Sequence, residues 1–520
     1  MLQKNVKRNE KKIVLLVILI GICVLALLIS QKQGFFEDEY YSYTLSNGPG
    51  MIIEFEQGKY YFPAETPYVN SMMPRSAFDL THVWINQAND VHPPMYYLLF
   101  YLVSLGYSAF SDSFSVIPPA LINCVFYAGS IYLLWHFAKE YIGNATLRLL
   151  MVIYASFCPA VLSIATLFRM YTMCMFLCLL LVYILSKKEI NLVQFFFCLL
   201  CGILTHYYFA VFAAFSCLVR LVQLIWEKNY RKTGLYTIAG LASVAASFML
   251  FPAMADHIFF GYRGQQSVDN LLDSAARSFS EYLSGYSRII SFEILGGGGI
   301  ILVLIILIIT MLFKPTARKQ FSEKQHLFLL LAIPAFSYFI LVSKISISIN
   351  TRYMCLLYMS VILLLMLVTD ICFDSFSYIG RLIVCALILF TITASWHFEP
   401  WEYLRREKTE VFNLAETQYA NLDCIVLYDM QWKTVSTFSE VQAYNGVQFF
   451  EYANNTYVVE DLLYRTHNGD NVIVLSACDE SNTDAVIKSF KDAGLNVEYL
   501  YSDSIADSFI ISFGSSYSCL

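Results

Sequence analysis

"NDVHPPMYYLLFYLVSLGYSAF", residues 89–110, is the stretch on which the reading of this chain turns. Its apolar part, 93–110, comes close to the roughly 20 residues that a helix needs to cross a hydrocarbon core. Two prolines open it, which favours a helix start there. Tyr96, Tyr97, Tyr101 and Tyr107 give it the amphipathic rings of a headgroup-level segment. Whether it crosses the membrane or lies along it decides the side on which every later loop falls.

The surrounding chain is 520 residues long, 58% hydrophobic and only 14% charged, so its solvent is a bilayer. The net charge of -6, with a pI near 5.8 and no contiguous basic patch, excludes a nucleic-acid partner. Eleven of the 14 cysteines fall inside apolar segments, where Cys acts as a small hydrophobe. Cys174 and Cys178 lie one helical turn apart without a third ligand in register, which reads as packing. Cys424, Cys478 and Cys519 form no obvious framework. The first apolar run, "IVLLVILIGICVLALLIS" (13–30), follows the basic "KNVKRNEKK". It is longer than a signal peptide's core and no small-x-small site follows, so it is expected to stay as an anchor.

Further candidate spans are 114–138, 147–166, 170–186, 190–206, 208–226, 235–254, 297–313, 325–343, 351–369 and 380–397. Lys and Arg accumulate in short cytoplasmic loops, which tests the count. Five basic residues precede the first span, and later clusters are Lys139 with Arg148, Lys187 with Lys188, Lys228 with Arg231 and Lys232, and Lys314 with Arg318, Lys319 and Lys324. If 93–110 crossed the membrane, all of the later clusters would be external. If it lies in the outer interface, all are cytoplasmic.

The expectation is therefore a polytopic α-helical membrane protein of about eleven spans, with a cytoplasmic N-terminus and an extracytoplasmic C-terminus. Residues 1–398 form its transmembrane domain, whose external loop 31–113 carries the interfacial helix 93–110. Residues 399–520 form a small extracytoplasmic α/β domain. Its polar helical start, "EYLRREKTEVFNLAETQYA", is followed by strands "CIVLYDM", "NVIVLSA", "NVEYLYS" and "FIISFG", and by a helix, "TDAVIKSFKDAG", that stops at Gly494.

With this orientation the polar outliers gather at the outer leaflet. Asp38 and Glu39 follow span one, and Asp90 and His92 precede the interfacial helix. Arg169 and His206 sit between spans, and Lys344 and Arg352 flank the start of the tenth span, 351–369, in "SKISISINTRYM". Ionisable residues at membrane depth are expensive, and each also has a plain reading as a cap or anchor. Together they suit a substrate that is half lipid and half anion. In sugar transfer from a polyprenyl-phosphate donor, a carboxylate takes the proton of the acceptor hydroxyl, a demand that Asp38 or Glu39 meets. The phosphate leaves as an anion that needs cations or a metal nearby, a demand that Arg169, His206, Lys344 and Arg352 meet.

"EDEYYSYTLSNG", "DVHPPMYYLL", "FRMYTM", "THYY" and "TRYM", in that order over about residues 10–370, resemble the GT-C superfamily of membrane glycosyltransferases. They are most like the glycosyltransferase 39 group of protein O-mannosyltransferases and aminoarabinose transferases. The resemblance implies an inverting transferase whose active site faces away from the cytoplasm and whose first external loop contains interfacial helices. It implies a catalytic base in the acidic pair, Asp38 or Glu39, with Glu37 leaving the register open by one. It points to Asp90 and His92 near a divalent metal or the phosphate, and to Arg169 and Arg352 on the donor phosphate. His206 stands where some relatives have Lys, which puts its charge in question. The implied partners are a polyprenyl-phosphate-linked sugar donor and membrane lipid; the acceptor stays open.

Other features read plainly. "GGGG" (296–299) lacks the Lys-Ser/Thr of a phosphate loop and marks a flexible lead-in to the next span. "NAT" at 144 and "NNT" at 454 match the glycosylation pattern as readily by chance. A polytopic secondary transporter of an anionic or lipid-linked substrate is the rival reading. Transporters, however, tend to show internal repeats with charges near the midplane, whereas this chain gathers its charges at one face beside a long external loop. A receptor or scaffold built on the α/β tail leaves the acidic pair unexplained.

Overall fold

The computed structural model describes residues 2–51, 53–74, 78–111, 113–272, 279–467, 469–502 and 506–513. Cys519 lies outside them. Among the described residues, seven helices are long and apolar enough to cross a membrane: Asn9–Ser30, Ile117–Tyr141, Tyr207–Trp226, Tyr230–Leu250, Pro315–Ile345, Thr351–Phe373 and Tyr378–Phe398. An eighth span is counted if the pair Ala145–Phe157 and Pro159–Thr166, bent by 42°, is one crossing. Pro159 explains the bend, because it has no N–H to donate and interrupts the helical ladder.

The remaining apolar segments are helical where expected but shorter: Tyr171–Leu185 (15 residues), Leu192–Ile203 (12 residues) and Gly298–Phe313 (16 residues). The deciding stretch forms the helix Met95–Ser108, 14 residues long. At 1.5 Å per residue that is about 21 Å, short of a hydrocarbon core of about 30 Å.

Compactness divides the chain into two units: 1–30, 87–99 and 119–400 in the first, and 31–86, 100–118 and 401–520 in the second. The helices that meet the span criteria belong almost entirely to the first. Near its N-terminus, Glu10 is buried and accepts from the Arg148 guanidinium at 2.6 and 2.7 Å and from Trp135 Nε1 at 2.8 Å. The glycine run is here a packing device: Gly296 has φ +67°, and a Cβ on it would meet the Thr391 carbonyl oxygen at 2.4 Å.

The second unit contains a five-stranded sheet in the order β2-β1-β3-β5-β4, with β1 Asp423–Tyr428, β2 Gly446–Glu451, β3 Val472–Ala477, β4 Leu495–Ser502 and β5 Asp507–Phe513. β1 pairs in parallel with β2 and β3, and β5 runs antiparallel between β3 and β4. Ile425, Leu427, Val474, Phe509 and Ile511 fill its core with Val458, Leu462, Val486 and Phe490 from the covering helices. Four strands lie where the alternation of apolar residues predicts them, and the helix Glu480–Asp492 ends before Gly494 at φ +83°.

β2, "GVQFFE", and the helix Asn455–His467 carry no such signal in sequence. The compact unit also draws in 31–86 and 100–118, which the sequence reading assigns to the transmembrane part. Tyr61 bridges Val447 on the sheet's edge strand, and Phe55 stacks on Phe449 at 4.0 Å. An edge strand left bare would be a template for association, and residues of the first loop cover it.

Candidate active site

In the second unit the acidic stretch opens the helix Glu37–Asn47, placing three carboxylates in a first turn where the helix dipole favours negative charge. Their surroundings differ. Glu39 is fully buried, its Oε2 accepts from Phe36 N–H at 2.7 Å, and Lys32 Nζ stands 2.9 Å away. It thus caps its own helix and fixes the preceding loop. Lys32 also donates to the Tyr403 carbonyl, and Gln33 N–H donates to Leu404 O at 2.7 Å. Burial pushes the Lys32 ammonium down, and Glu39 opposes the shift. Glu37 is half-buried; burial pushes its carboxyl up, and Arg405 opposes that. Asp38 is half-buried, and its backbone carbonyl accepts from Ser42 Oγ at 3.0 Å.

In the first unit, four separate segments bring five of the expected residues together. Asp90 Oδ2 lies 2.8 Å from His92 Nδ1, and Arg169 Nη2 lies 3.3 Å from His92 Nε2. Because a guanidinium can only donate, Nε2 is the acceptor and the ring proton sits on Nδ1, facing Asp90. The His92 and His206 rings are 6.2 Å apart, Tyr171 lies 5.4 Å from His206, and the Arg352 guanidinium stands 6.0 Å from Tyr171 and 5.3 Å from Tyr353. The Arg169 guanidinium lies 5.9 Å from the Tyr97 ring. Among the described residues, no ion pair or hydrogen bond joins Lys344 to this cluster; it sits half-buried in the last turn of Pro315–Ile345.

The backbone that carries these groups is itself held. Arg169 lies in the turn between Pro159–Thr166 and Tyr171–Leu185, and buried Asn123 donates to Ala165 O at 3.0 Å and to Leu167 O at 2.6 Å. Met95 N–H donates to Leu204 O at 2.9 Å, tying the "HPP" turn to the end of the helix before His206. His206 Nδ1 accepts from Tyr208 N–H at 3.0 Å and so caps the helix Tyr207–Trp226.

Burial, helped by His92, Arg169 and Arg352, pushes the His206 imidazole well below its ordinary range, so at neutral pH it is an uncharged donor through Nε2 rather than a cation. Burial works to raise the Asp90 carboxyl, but the His92 ring and the Arg169 guanidinium outweigh it and hold the group below the usual carboxylate range.

One participant carries no signal in sequence. His257 lies on a π-turn, 256–260, in the second long loop; Tyr207 Oη is 2.7 Å from its Nδ1, and its Nε2 is 3.2 Å from Ala88 O. With Nε2–H donating to the carbonyl, Nδ1 accepts from Tyr207, so this ring links the neighbour of His206 to the segment leading into Asp90 and His92. A second π-turn, 289–294, carries buried Glu293, which accepts from Thr351 Oγ1 at 3.1 Å beside Arg352. π-Turns are concentrated at functional sites.

A divalent metal finds a poor donor set at Asp90 and His92. Both imidazole nitrogens are engaged, and among the described residues no group of three or more His, Cys, Asp or Glu side chains is placed to hold an ion.

The fold has solved counterparts. ArnT from Cupriavidus metallidurans, bound to undecaprenyl phosphate, superposes with a TM-score of 0.54 at 9% identity, covering 96% of this chain and 97% of that one. The same protein in the apo state gives 0.52 at 10% identity, with the same coverage. An oligosaccharyltransferase from Archaeoglobus fulgidus, in complex with zinc and sulfate, gives 0.44 at 10% identity over 95% of this chain and 72% of that one. No family model and no curated protein matches. The span-length helices together with the ArnT likeness make this chain a multi-pass helical membrane protein with the fold of the GT-C superfamily and a small α/β sheet in its C-terminal part.

Proposed function

We propose that the protein is an inverting membrane glycosyltransferase that moves a hexosyl or pentosyl group from a polyprenyl-phosphate donor to an extracytoplasmic acceptor hydroxyl. Its N-terminus is cytoplasmic and its C-terminus extracytoplasmic. The observation that supports this most is the assembly of Asp90, His92, His206, buried Arg169 and half-buried Arg352 from four segments, on a fold shared with a protein solved with undecaprenyl phosphate.

Arg169 and Arg352 hold the donor phosphate. A guanidinium is always charged and offers a planar fork to phosphate oxygens, and aromatic faces such as those of Tyr97, Tyr171 and Tyr353 position it. His206, uncharged, donates one further hydrogen bond, and Asp90 with His92 orients Arg169. As the acceptor oxygen attacks the anomeric carbon, the bond from that carbon to the phosphate oxygen breaks, and polyprenyl phosphate leaves as an anion that the two arginines stabilise. The base that takes the acceptor proton is Asp38, because Glu39 is committed to Lys32 and to its helix cap.

The test is transfer of a radiolabelled sugar from a polyprenyl-phosphate donor by the purified full-length protein. Asp38→Asn should insert normally and lose transfer by about 10²-fold or more, the scale of a positioned base. Full transfer by Asp38→Asn would overturn the assignment. Movement of label across vesicles without a new glycosidic bond would favour the transporter.

A further inference from the structure

Arg352 is carried on a helix of a single turn, Thr351–Met354, which follows an irregular segment, 346–350. One turn has too few hydrogen bonds of its own to fix a side chain, so its place is set by what holds it from outside. Part of that hold comes from the spans: Tyr358 Oη donates to Thr351 O at 3.2 Å, and Tyr338 Oη donates to Tyr353 O at 2.6 Å. The rest comes from the second long loop.

The helix Phe279–Arg288 of that loop presents Tyr282 and Tyr286, one turn apart on one face. Tyr282 Oη donates to Ile347 O at 2.9 Å, and the buried Tyr286 Oη lies 2.8 Å from both Ser346 Oγ and Ser348 O. Gly285, between them, keeps the approach close: a Cβ on it would stand 2.7 Å from Ile349 Cδ1. Farther along the loop, buried Glu293 on the π-turn 289–294 accepts from Thr351 Oγ1 at 3.1 Å, next to Arg352 itself. Hydrogen bonds from the loop thus fall on 346, 347, 348 and 351, along the whole approach to the arginine.

We propose that Tyr286 and Glu293 are positioning residues for Arg352: through 346–351, the second long loop sets where the guanidinium meets the donor phosphate. A guanidinium grips phosphate through a planar fork, so its hold depends on direction as well as distance. A misplacement of about 1 Å can cost on the order of 10²-fold, which lets a small shift of the segment reach the bound anion. Reading that anion as the donor's phosphate rests on the transferase proposal above; the grip of the loop on Arg352 does not.

The experiment is equilibrium binding of polyprenyl phosphate to the full-length protein in detergent. Tyr286→Phe keeps the ring and removes the hydroxyl, and should weaken binding by about 3- to 10-fold, the effect of one hydrogen bond. Glu293→Leu should weaken it by about 10-fold or more, whereas Glu293→Gln, which keeps an oxygen for Thr351 Oγ1, should stay within about 3-fold of wild type. Arg352→Gln should cost about 10- to 100-fold. Adding Tyr286→Phe to it should cost less than about 2-fold more, because changes that act through one group do not add.

Tyr286→Phe keeps the test valid if Glu293→Leu fails to fold. Wild-type affinity in Tyr286→Phe, or its full loss repeated on top of Arg352→Gln, would overturn the proposal. Either result in a protein that still transfers sugar removes the positioning and leaves the transferase. Binding of polyprenyl phosphate that depends on Tyr286 and Arg352, in a protein that forms no glycosidic bond, does the reverse. No binding by the wild type removes both.

Discussion

Asp38 and Glu39 are adjacent carboxylates in different surroundings, one half-buried and one fully buried. Glu39 lies inside the unit, where its charge is tolerated only because Lys32 and the Phe36 N–H meet it. Removing one partner of such a pair leaves the other buried and alone. Lys32→Met should therefore destabilise the protein by about 3–5 kcal/mol, seen as a drop in the thermal midpoint of the detergent-solubilised protein. Adding Glu39→Gln, which removes the orphaned charge, should recover much of that loss. If Lys32→Met melts like wild type, the pair is not the anchor of the helix Glu37–Asn47. That an acidic pair follows span one is plain in the sequence; which acid is consumed by the scaffold depends on a lysine and a turn that only folding brings alongside.

Among the elements, short connections decide the site. The turn that carries Arg169 interrupts two helices and leaves carbonyls without intrahelical donors, and Asn123 from the helix Ile117–Tyr141 supplies them. Asn123→Leu keeps the volume and removes the donors. Leu167 O keeps the Arg169 N–H at 2.8 Å, so the change should cost about 1–3 kcal/mol for the Ala165 carbonyl left unpaired and weaken donor-phosphate binding, measured with polyprenyl phosphate by a thermal-shift titration, while leaving membrane insertion intact. An unchanged affinity would mean that the Arg169 turn is held by its neighbours alone. Asn123 sits inside an apolar run, where a single polar residue reads as incidental, and nothing local marks its target some forty residues on. His257 is hidden for the same reason: it stands in a long loop without periodicity, and its partners Tyr207 and Ala88 lie far away in the chain.

For the whole molecule, His206 and His257 give the stability a pH dependence of known sign. Burial lowers both imidazoles below their unfolded value. Between the folded and unfolded pKa the unfolded chain binds more protons, so stability is full above about pH 6.5 and falls as the pH drops below it. The slope should not exceed about 1.4 kcal/mol per pH unit for each histidine. Thermal melts taken from about pH 7.5 down to about pH 5 should show the decline, and His206→Gln should flatten part of it. A midpoint that rises on acidification would contradict the buried, uncharged state of these rings.

Hydropathy and charge placement by themselves determined that this chain lives in a bilayer, where its apolar segments lie, that 93–110 is better read as a non-spanning helix, and that the tail is α/β, because each of these follows from local composition and period. The order of the short motifs pointed to the GT-C fold that the ArnT likeness bears out. Only the tertiary structure decided that residues of the first long loop share a compact unit with the tail, that Asp90, His92, Arg169, His206 and Arg352 meet without a hydrogen bond or ion pair to Lys344 among the described residues, and that burial lowers the His206 imidazole. Those outcomes rest on contacts between segments distant in sequence and on burial, and neither has a signature in any stretch read alone.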